Sequence, residues 1–155
     1  MPFRAMETLE AGRDPQQMLA DAKRDGTVYA MPAPRPAMLR DDGIDERPRE
    51  ADTVVVIGCG YYRSLDAVAR GFRLLDLLGI DYTLLEKEFC CGAPMIGQQV
   101  RKGSDRAIAD AMSRELIGMN IAQARQLKAR RIAYFCVWCT YLAKRFYGDA
   151  FPGVR

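Results

Sequence analysis

The fold is decided by residues 53–59, which read Thr-Val-Val-Val-Ile-Gly-Cys. An unbroken β-branched run of this kind is typical of a parallel strand that is buried on both faces. Two further strands are predicted over 81–89 and 131–135, and amphipathic helices follow the first and third strands, over 64–78 and 138–147. This alternation predicts an α/β fold, with a small parallel βαβαβ sheet and flanking helices.

The connection between the second and third strands is longer than the first one. It is predicted to begin with a glycine-rich loop over Gly92–Gly103 and to continue as a helix from about Ser104. Gly118 marks either a break in this helix or a tight contact before 119–129.

All five cysteines follow predicted strands. Cys59 ends the first run, Cys90 and Cys91 follow the second, and Cys136 and Cys139 follow the third. Because the carboxyl ends of parallel strands meet at one edge, where open α/β folds bind ligands, we expect the thiols to converge there. Five thiols at one place favour a metal cluster over five separate structural roles.

The composition excludes several classes of function. The chain has 155 residues, of which 49% are hydrophobic, and a net charge of +3, so no nucleic-acid or membrane partner is required. No apolar run is long enough to span a bilayer, and the first residues lack a secretion signal, so a cytoplasmic protein is expected. Histidine is absent, which excludes Cys/His zinc sites and Ser-His or Cys-His nucleophiles. An odd number of cysteines in a reducing compartment does not indicate disulfides.

Three other interpretations of the cysteines stay open. The thiols could be inert core residues, or four of them could bind one zinc ion. A zinc site would leave one of the vicinal pair, Cys90 and Cys91, without a role. A redox dithiol at Cys136 and Cys139 alone would leave the other three unexplained.

The local chemistry of the cysteines favours a cluster of several metal ions. Cys90 and Cys91 cannot both bind one ion with relaxed tetrahedral geometry, but they can bind different irons. Cys136 and Cys139 lie where a strand gives way to a helix, and the N–H groups of that first turn lower a thiol pKa.

The pattern Cys-x30-Cys-Cys-Gly-x43-Cys-x-x-Cys resembles the cysteine-rich CCG domain. That domain occurs in the B subunit of heterodisulfide reductase. It is also found in the iron–sulfur subunits of glycolate and lactate oxidation and of anaerobic glycerol-3-phosphate dehydrogenase. The resemblance covers about residues 53–147. The chain differs in its longer second gap, in having one such motif, and in lacking an upstream ferredoxin-like segment.

The resemblance implies an oxidoreductase subunit that uses a noncubane [4Fe-4S] cluster to transfer electrons to a disulfide or thiol substrate. It implies other redox subunits, iron–sulfur or flavin proteins, as partners, and membrane association only through a partner. Cys90 and Cys91 are the candidate catalytic residues. The alternative is a structural or docking subunit that binds zinc or iron without turnover. The ligands implied are Cys59, Cys90, Cys91, Cys136 and Cys139.

Residues 1–52 form a predicted N-terminal extension, and 53–155 a cysteine-rich iron–sulfur domain. In the extension, Asp14 is a helix N-cap and Gly26 a stop, which predicts one short helix over about 15–25. Residues 27–52 are rich in proline and charge. They form either an extended tether or docking arm, or an ordered, irregular extension lying on the domain.

Several side chains near the cysteines have two readings. Tyr61, Tyr62 and Arg63 either line a substrate entrance or shield the cluster, or the two tyrosines simply cap the core. Both tyrosines would obstruct a dinucleotide at Gly58-x-Gly60. Trp138 is expected to pack over the sulfur site. A basic cluster at a helix end is interpreted as a solvated face. Docking of an acidic electron-transfer partner is the less favoured interpretation. Its members are Arg125, Lys128, Arg130 and Arg131.

Overall fold

The computed structural model of the chain describes residues 13–29, 35–41, 43–44, 48–101, 103 and 106–148. Some predicted features fall outside these ranges. They are the start of the long helix near Ser104, the last residues of the second predicted domain, and parts of the N-terminal extension.

Three parallel strands form the predicted sheet. They are β1 (Thr53–Val56), β2 (Tyr82–Leu84) and β3 (Arg131–Tyr134), with β1 in the centre of the order β2-β1-β3. Thr53 is in register with both Tyr82 and Arg131, so the three carboxyl ends lie at the same edge. The α/β class and the parallel sheet are therefore confirmed.

The central strand β1 is buried on both faces, as its sequence predicts. Val54 and Val56 belong to one apolar cluster, whereas Val55 and Ile57 belong to another on the opposite side of the sheet. Successive side chains of a strand point to opposite faces, so each layer of helices requires its own set of apolar residues from β1.

Six helices and one 3₁₀ turn (Tyr61–Arg63) surround the sheet within the described ranges. The predicted bounds of the helices near 15–25, 64–78 and 138–147 agree with the structure to within about two residues, the usual uncertainty of a helix end. The helices are α1 (Pro15–Asp25), α2 (Arg35–Asp41), α3 (Leu65–Leu77), α4 (Ala93–Arg101), α5 (Arg106–Gln126) and α6 (Val137–Tyr147).

The prediction of a glycine-rich loop over Gly92–Gly103 is wrong, because most of this segment forms helix α4. Gly92 alone makes the turn, with a φ of 80°, and its carbonyl accepts the N–H of Met95 at 3.0 Å. Pro94 lies in the first turn, where a missing N–H costs nothing. Met95 and Gln99, four residues apart, are both buried, so packing of this face outweighs the cost of Gly97 within the helix.

Helix α5 is continuous through Gly118, so the predicted break there is wrong and the predicted tight contact is right. A Cβ at Gly118 would lie 2.7 Å from the Tyr147 hydroxyl oxygen, which brings α5 and α6 close together. No helix in the described part of the chain is long and apolar enough to cross a membrane.

Part of the N-terminal extension is ordered against the rest of the chain. Helix α1 begins at the predicted cap, where the Asp14 carboxylate accepts the N–H of Gln17 at 3.0 Å. Val28 and Tyr29 are buried, and so is Leu39 of helix α2. For the described residues these contacts favour an ordered extension over a free tether. The domain boundary at residue 52 stays a prediction.

Candidate metal centre

The five thiols form a continuous row at the carboxyl edge of the sheet, where the sequence predicts that they converge. The sulfur of Cys59 lies 3.3 Å from that of Cys90. Cys91 contacts both Cys90 and Cys139 through its thiol. Cys139 in turn shares a hydrogen bond with Cys136, and none of the five cysteines forms a disulfide.

The turn after β1 brings Cys59 into this row. Gly58 has a φ of 86°, a conformation that side-chain-bearing residues rarely adopt. A Cβ at Gly58 would lie 2.7 Å from the Cys136 Cβ and 3.4 Å from the Cys139 sulfur. The absence of a side chain therefore allows the loop after β3 to approach the loop after β1.

Glu88 links two loops of the site and was missed by the sequence analysis. Its buried carboxylate accepts the backbone N–H groups of Ile57 and Gly58, each at 2.7 Å. These two hydrogen bonds join the turn that contains Cys59 to the segment that contains Cys90. Because Glu88 follows two other charged residues, Glu86 and Lys87, nothing in the sequence singles it out.

Strand β2 is shorter than predicted, because past Leu84 the backbone binds side chains of α5 instead of β1. Asn120 makes two hydrogen bonds to the backbone of Phe89, and Ser113 donates its hydroxyl to the carbonyl of Cys91. The vicinal cysteines are therefore carried by an extended segment beyond the sheet. Asn120 and Ser113 lie among the apolar residues on the buried face of α5, a pattern that could have revealed them.

Cys136 is the N-cap of α6, and its thiol is more acidic than those of Cys91 and Cys139. A hydrogen bond from the Cys139 thiol is the main reason that the pKa of Cys136 is lowered to about 6. The N–H groups of Cys139 and Trp138, in the first turn of α6, lower it further. The predicted effect of the helix amides is thus present, but a second thiol contributes more.

Two other thiols of the row hold their protons more strongly. The hydrogen bond to Cys136 raises the pKa of Cys139 well above its usual value, and its contact with Cys91 and burial raise it further. For Cys91, the hydrogen bond from Cys139 lowers the pKa. Contact with Cys90 together with burial outweighs this effect, so the pKa is raised. Cys136 therefore ionises readily, whereas the buried thiols of Cys139 and Cys91 hold their protons.

The row is buried at one end and open at the other. Cys59, Cys90, Cys91 and Cys139 are buried, whereas Cys136 is half-buried. Trp138 does not pack over the sulfur atoms as predicted, because 57% of its surface is exposed and its ring meets that of Tyr141 edge to face. Helix α6 points residue 138 away from the core, since Cys139 and Leu142 occupy its inner face.

The remaining predicted features belong to packing and to surface charge. Tyr62 is buried among core residues near α3, and Tyr61 packs near Phe135, which favours core capping. In the basic cluster, Arg130 and Arg131 both pair with Asp52 and Lys128 pairs with Glu50. These ion pairs favour the reading of a solvated surface.

The donor set fits an iron–sulfur cluster in its chemistry. Such clusters are held by cysteine thiolates, and the five thiols adjoin one another in a mostly buried, apolar setting. Among the described residues, no three Cys, Asp or Glu side chains are arranged around a single metal ion. Binding of one ion by three of the thiols would require rotation of their side chains.

A family model described as a cysteine-rich domain, CCG, matches residues 54–142. The chain belongs to the cysteine-rich CCG domain family. All five cysteines lie within the CCG match, whereas helices α1 and α2 precede it. The match supports an iron–sulfur or metal-binding role, and CCG domains occur in multi-subunit redox complexes. No curated protein and no solved structure gives a significant match.

Proposed function

We propose that this chain is the iron–sulfur subunit of a heterodisulfide reductase-like oxidoreductase complex. The observation that carries the proposal is the row of five adjoining thiols, from Cys59 to Cys136, at the carboxyl edge of a CCG domain. Inert core thiols would have no reason to adjoin one another in this way at the ends of separate strands.

The residues proposed to hold a noncubane [4Fe-4S] cluster are all five cysteines. A row that includes a vicinal pair fits a cluster better than one zinc ion, since Cys90 and Cys91 can bind different irons. When bound, such a cluster would pass electrons from a redox partner to a disulfide substrate, whose reduction to two thiols takes two electrons and two protons. Cys90 and Cys91, in the middle of the row, are the proposed catalytic residues.

The protein contributes burial, orientation and readiness for metal binding. Apolar packing around Cys90 and Cys91 excludes water from the centre of the row. With its pKa near 6, Cys136 is already a thiolate at neutral pH, so it binds a metal without first losing a proton. Hydrogen bonds from Asn120 to the Phe89 carbonyl and from Ser113 to the Cys91 carbonyl hold the backbone around the vicinal pair.

The proposal also requires partners. We infer that electrons arrive from another redox subunit, an iron–sulfur or flavin protein, and that any membrane association occurs through such a partner. An odd number of cysteines does not indicate a disulfide framework, so we place the complex in the reducing environment of the cytoplasm.

Anaerobic purification and metal analysis test the proposal directly. We expect a brown protein with iron and acid-labile sulfide in similar amounts, and an electron paramagnetic resonance signal that changes when a thiol or disulfide is added. Cys90→Ser and Cys91→Ser should each lose the iron, whereas Ser64→Ala, at the exposed start of α3, should retain it. A colourless protein that carries zinc would contradict the proposal and favour a structural metal-binding subunit.

A further inference from the structure

The N-terminal segment 13–29 packs directly against one end of the sulfur row. Met18 and Ala22, on the inner face of α1, are fully buried and belong to the same apolar cluster as Cys59 and Cys90. Val28, after the helix, joins the same cluster. Residues that precede the CCG match therefore form part of the surroundings of two proposed cluster ligands.

Polar contacts attach this segment to the loop that carries the vicinal cysteines. The backbone N–H of Cys90 donates to the carbonyl of Gly26 at 2.8 Å. The ammonium group of Lys87 donates to the carbonyls of Lys23 and Arg24, both at 2.8 Å. Lys87 thereby caps the C-terminal end of α1, where carbonyl groups have no helical partner.

The segment is also braced within itself and to α5. Arg13 donates to the carbonyl of Val28 at 2.6 Å and pairs with Asp21, which joins the two ends of the segment. Lys23 pairs with Glu115 of α5 at 2.6 Å. These contacts make residues 13–29 a fixed part of the fold.

The most accessible thiol of the row is Cys136. Cys136 is half-buried, and the next residues, Val137 and Trp138, are 74% and 57% exposed. A molecule that approaches the site from solvent therefore meets Cys136 before it meets Cys59 or Cys90.

We propose that residues 13–29 form a wall of the sulfur site, and that external ligands reach the site past Cys136. The wall covers Cys59 and Cys90, so a ligand from solvent reaches the site from the side of Cys136. The identity of that ligand as a thiol or disulfide substrate rests on the proposed function, whereas the wall rests only on the contacts described above.

The test measures the modification rate of each thiol in the reduced, metal-free, full-length chain. N-ethylmaleimide is added without oxygen, and mass spectrometry follows the label at each cysteine. In the wild-type chain we expect Cys136 to react at least about tenfold faster than Cys59 and Cys90, because its thiol ionises more readily and because reaction at the covered thiols requires local opening; the variants below separate the two causes. Equal rates at these three thiols would overturn the proposal.

Two variants loosen the wall without altering a cysteine. Lys87→Ala, at an exposed position, removes the two hydrogen bonds to the C-terminal end of α1. Met18→Ala removes apolar packing between α1 and the cluster of residues that contains Cys59 and Cys90. We expect either change to raise the rate at Cys59 and Cys90 by about tenfold. The rate at Cys139, which lies on the inner face of α6, should change less than about twofold. Arg70→Ala, which removes an exposed ion pair on α3, is the matched control and should leave every rate unchanged.

A uniform rise in the modification rate of all five thiols would indicate general unfolding and would overturn the proposal. Modification rates that are unchanged in both variants would overturn it as well. Because the assay uses no metal, its outcome is independent of the cluster. If the chain binds no iron but shows the expected order of modification rates, the proposed wall stands and only the proposed function is contradicted.

Discussion

The side-chain amide of Asn120 forms hydrogen bonds with both backbone groups of Phe89. Its Oδ1 accepts the Phe89 N–H at 2.8 Å, and its Nδ2 donates to the Phe89 carbonyl at 2.8 Å. Both residues are buried, and Cys90 follows immediately. One side chain of α5 thereby replaces the strand partner that the segment lacks after leaving the sheet, and it fixes the backbone that carries the vicinal cysteines.

Replacing this amide should destabilise the protein strongly. Asn120→Leu keeps a similar volume but leaves two buried backbone groups of Phe89 without a partner, so we expect the free energy of unfolding to fall by about 2–4 kcal/mol. Urea denaturation measures the change. Gln126→Leu, at the exposed end of the same helix, should change stability by less than about 0.5 kcal/mol. An equal effect of the two substitutions would contradict this role of Asn120.

The two glycines that flank Cys59 should respond differently to alanine. Gly58→Ala places a Cβ 2.7 Å from the Cys136 Cβ at a φ of 86°, and should cost about 2–4 kcal/mol and reduce iron content. Gly60 has a φ of −70° and no heavy atom within 4 Å of an added Cβ, so Gly60→Ala should retain both stability and iron. Denaturation and iron analysis compare the pair. Retained iron in Gly58→Ala would argue that this close approach does not position the ligands.

The reactivity of Cys136 should depend on pH in the metal-free chain. Only the thiolate reacts with iodoacetamide, so the alkylation rate at Cys136 should rise with pH and reach half of its maximum near pH 6. Cys139→Ala removes the main hydrogen bond to this thiolate, and the midpoint should then move toward the usual value of about 8.5. An unchanged midpoint in this variant would assign the low pKa to the helix amides instead.

The same ionisation should affect stability. Because the pKa of Cys136 is lowered in the folded state, its thiolate contributes stability that is fully present above the unfolded pKa of about 8.5. This contribution is lost as the pH falls through about 6. Wild type and Cys136→Ala, denatured with urea at pH 5 and pH 8, should therefore differ more at pH 8 than at pH 5. A difference that does not depend on pH would show that packing alone is lost.

Trp138 provides an optical probe of the site, since it is the single tryptophan of the chain. It lies between Cys136 and Cys139, so loading of an iron–sulfur cluster, which absorbs in the near ultraviolet, should quench its emission by energy transfer. Zinc has a filled d shell and should cause no comparable quenching. Cys90→Ser should abolish the quenching by iron and sulfide, and Trp138→Phe should retain iron while losing the signal. Emission unchanged by a chemically verified cluster would contradict the predicted proximity.

Features that depend on local composition could be predicted from the sequence. The β-branched run before Cys59 requires burial on both faces, and the Asp14 cap and Gly26 stop delimit α1. The loop predicted over Gly92–Gly103 was wrong because glycine content alone does not show that Met95 and Gln99 face a packed neighbour. The contacts of Asn120 and Glu88 could not be predicted, since each joins residues about thirty positions apart.

The sequence by itself determined the α/β class and the placing of every cysteine beyond a strand, because strand periodicity and the common edge of a parallel sheet are local and topological rules. Only the tertiary structure decided how the thiols adjoin, which one titrates near pH 6, and which end of the row is covered. Those properties depend on distances between distant segments, such as Gly58 against Cys136 and α1 against Cys90, and on the burial that these contacts create.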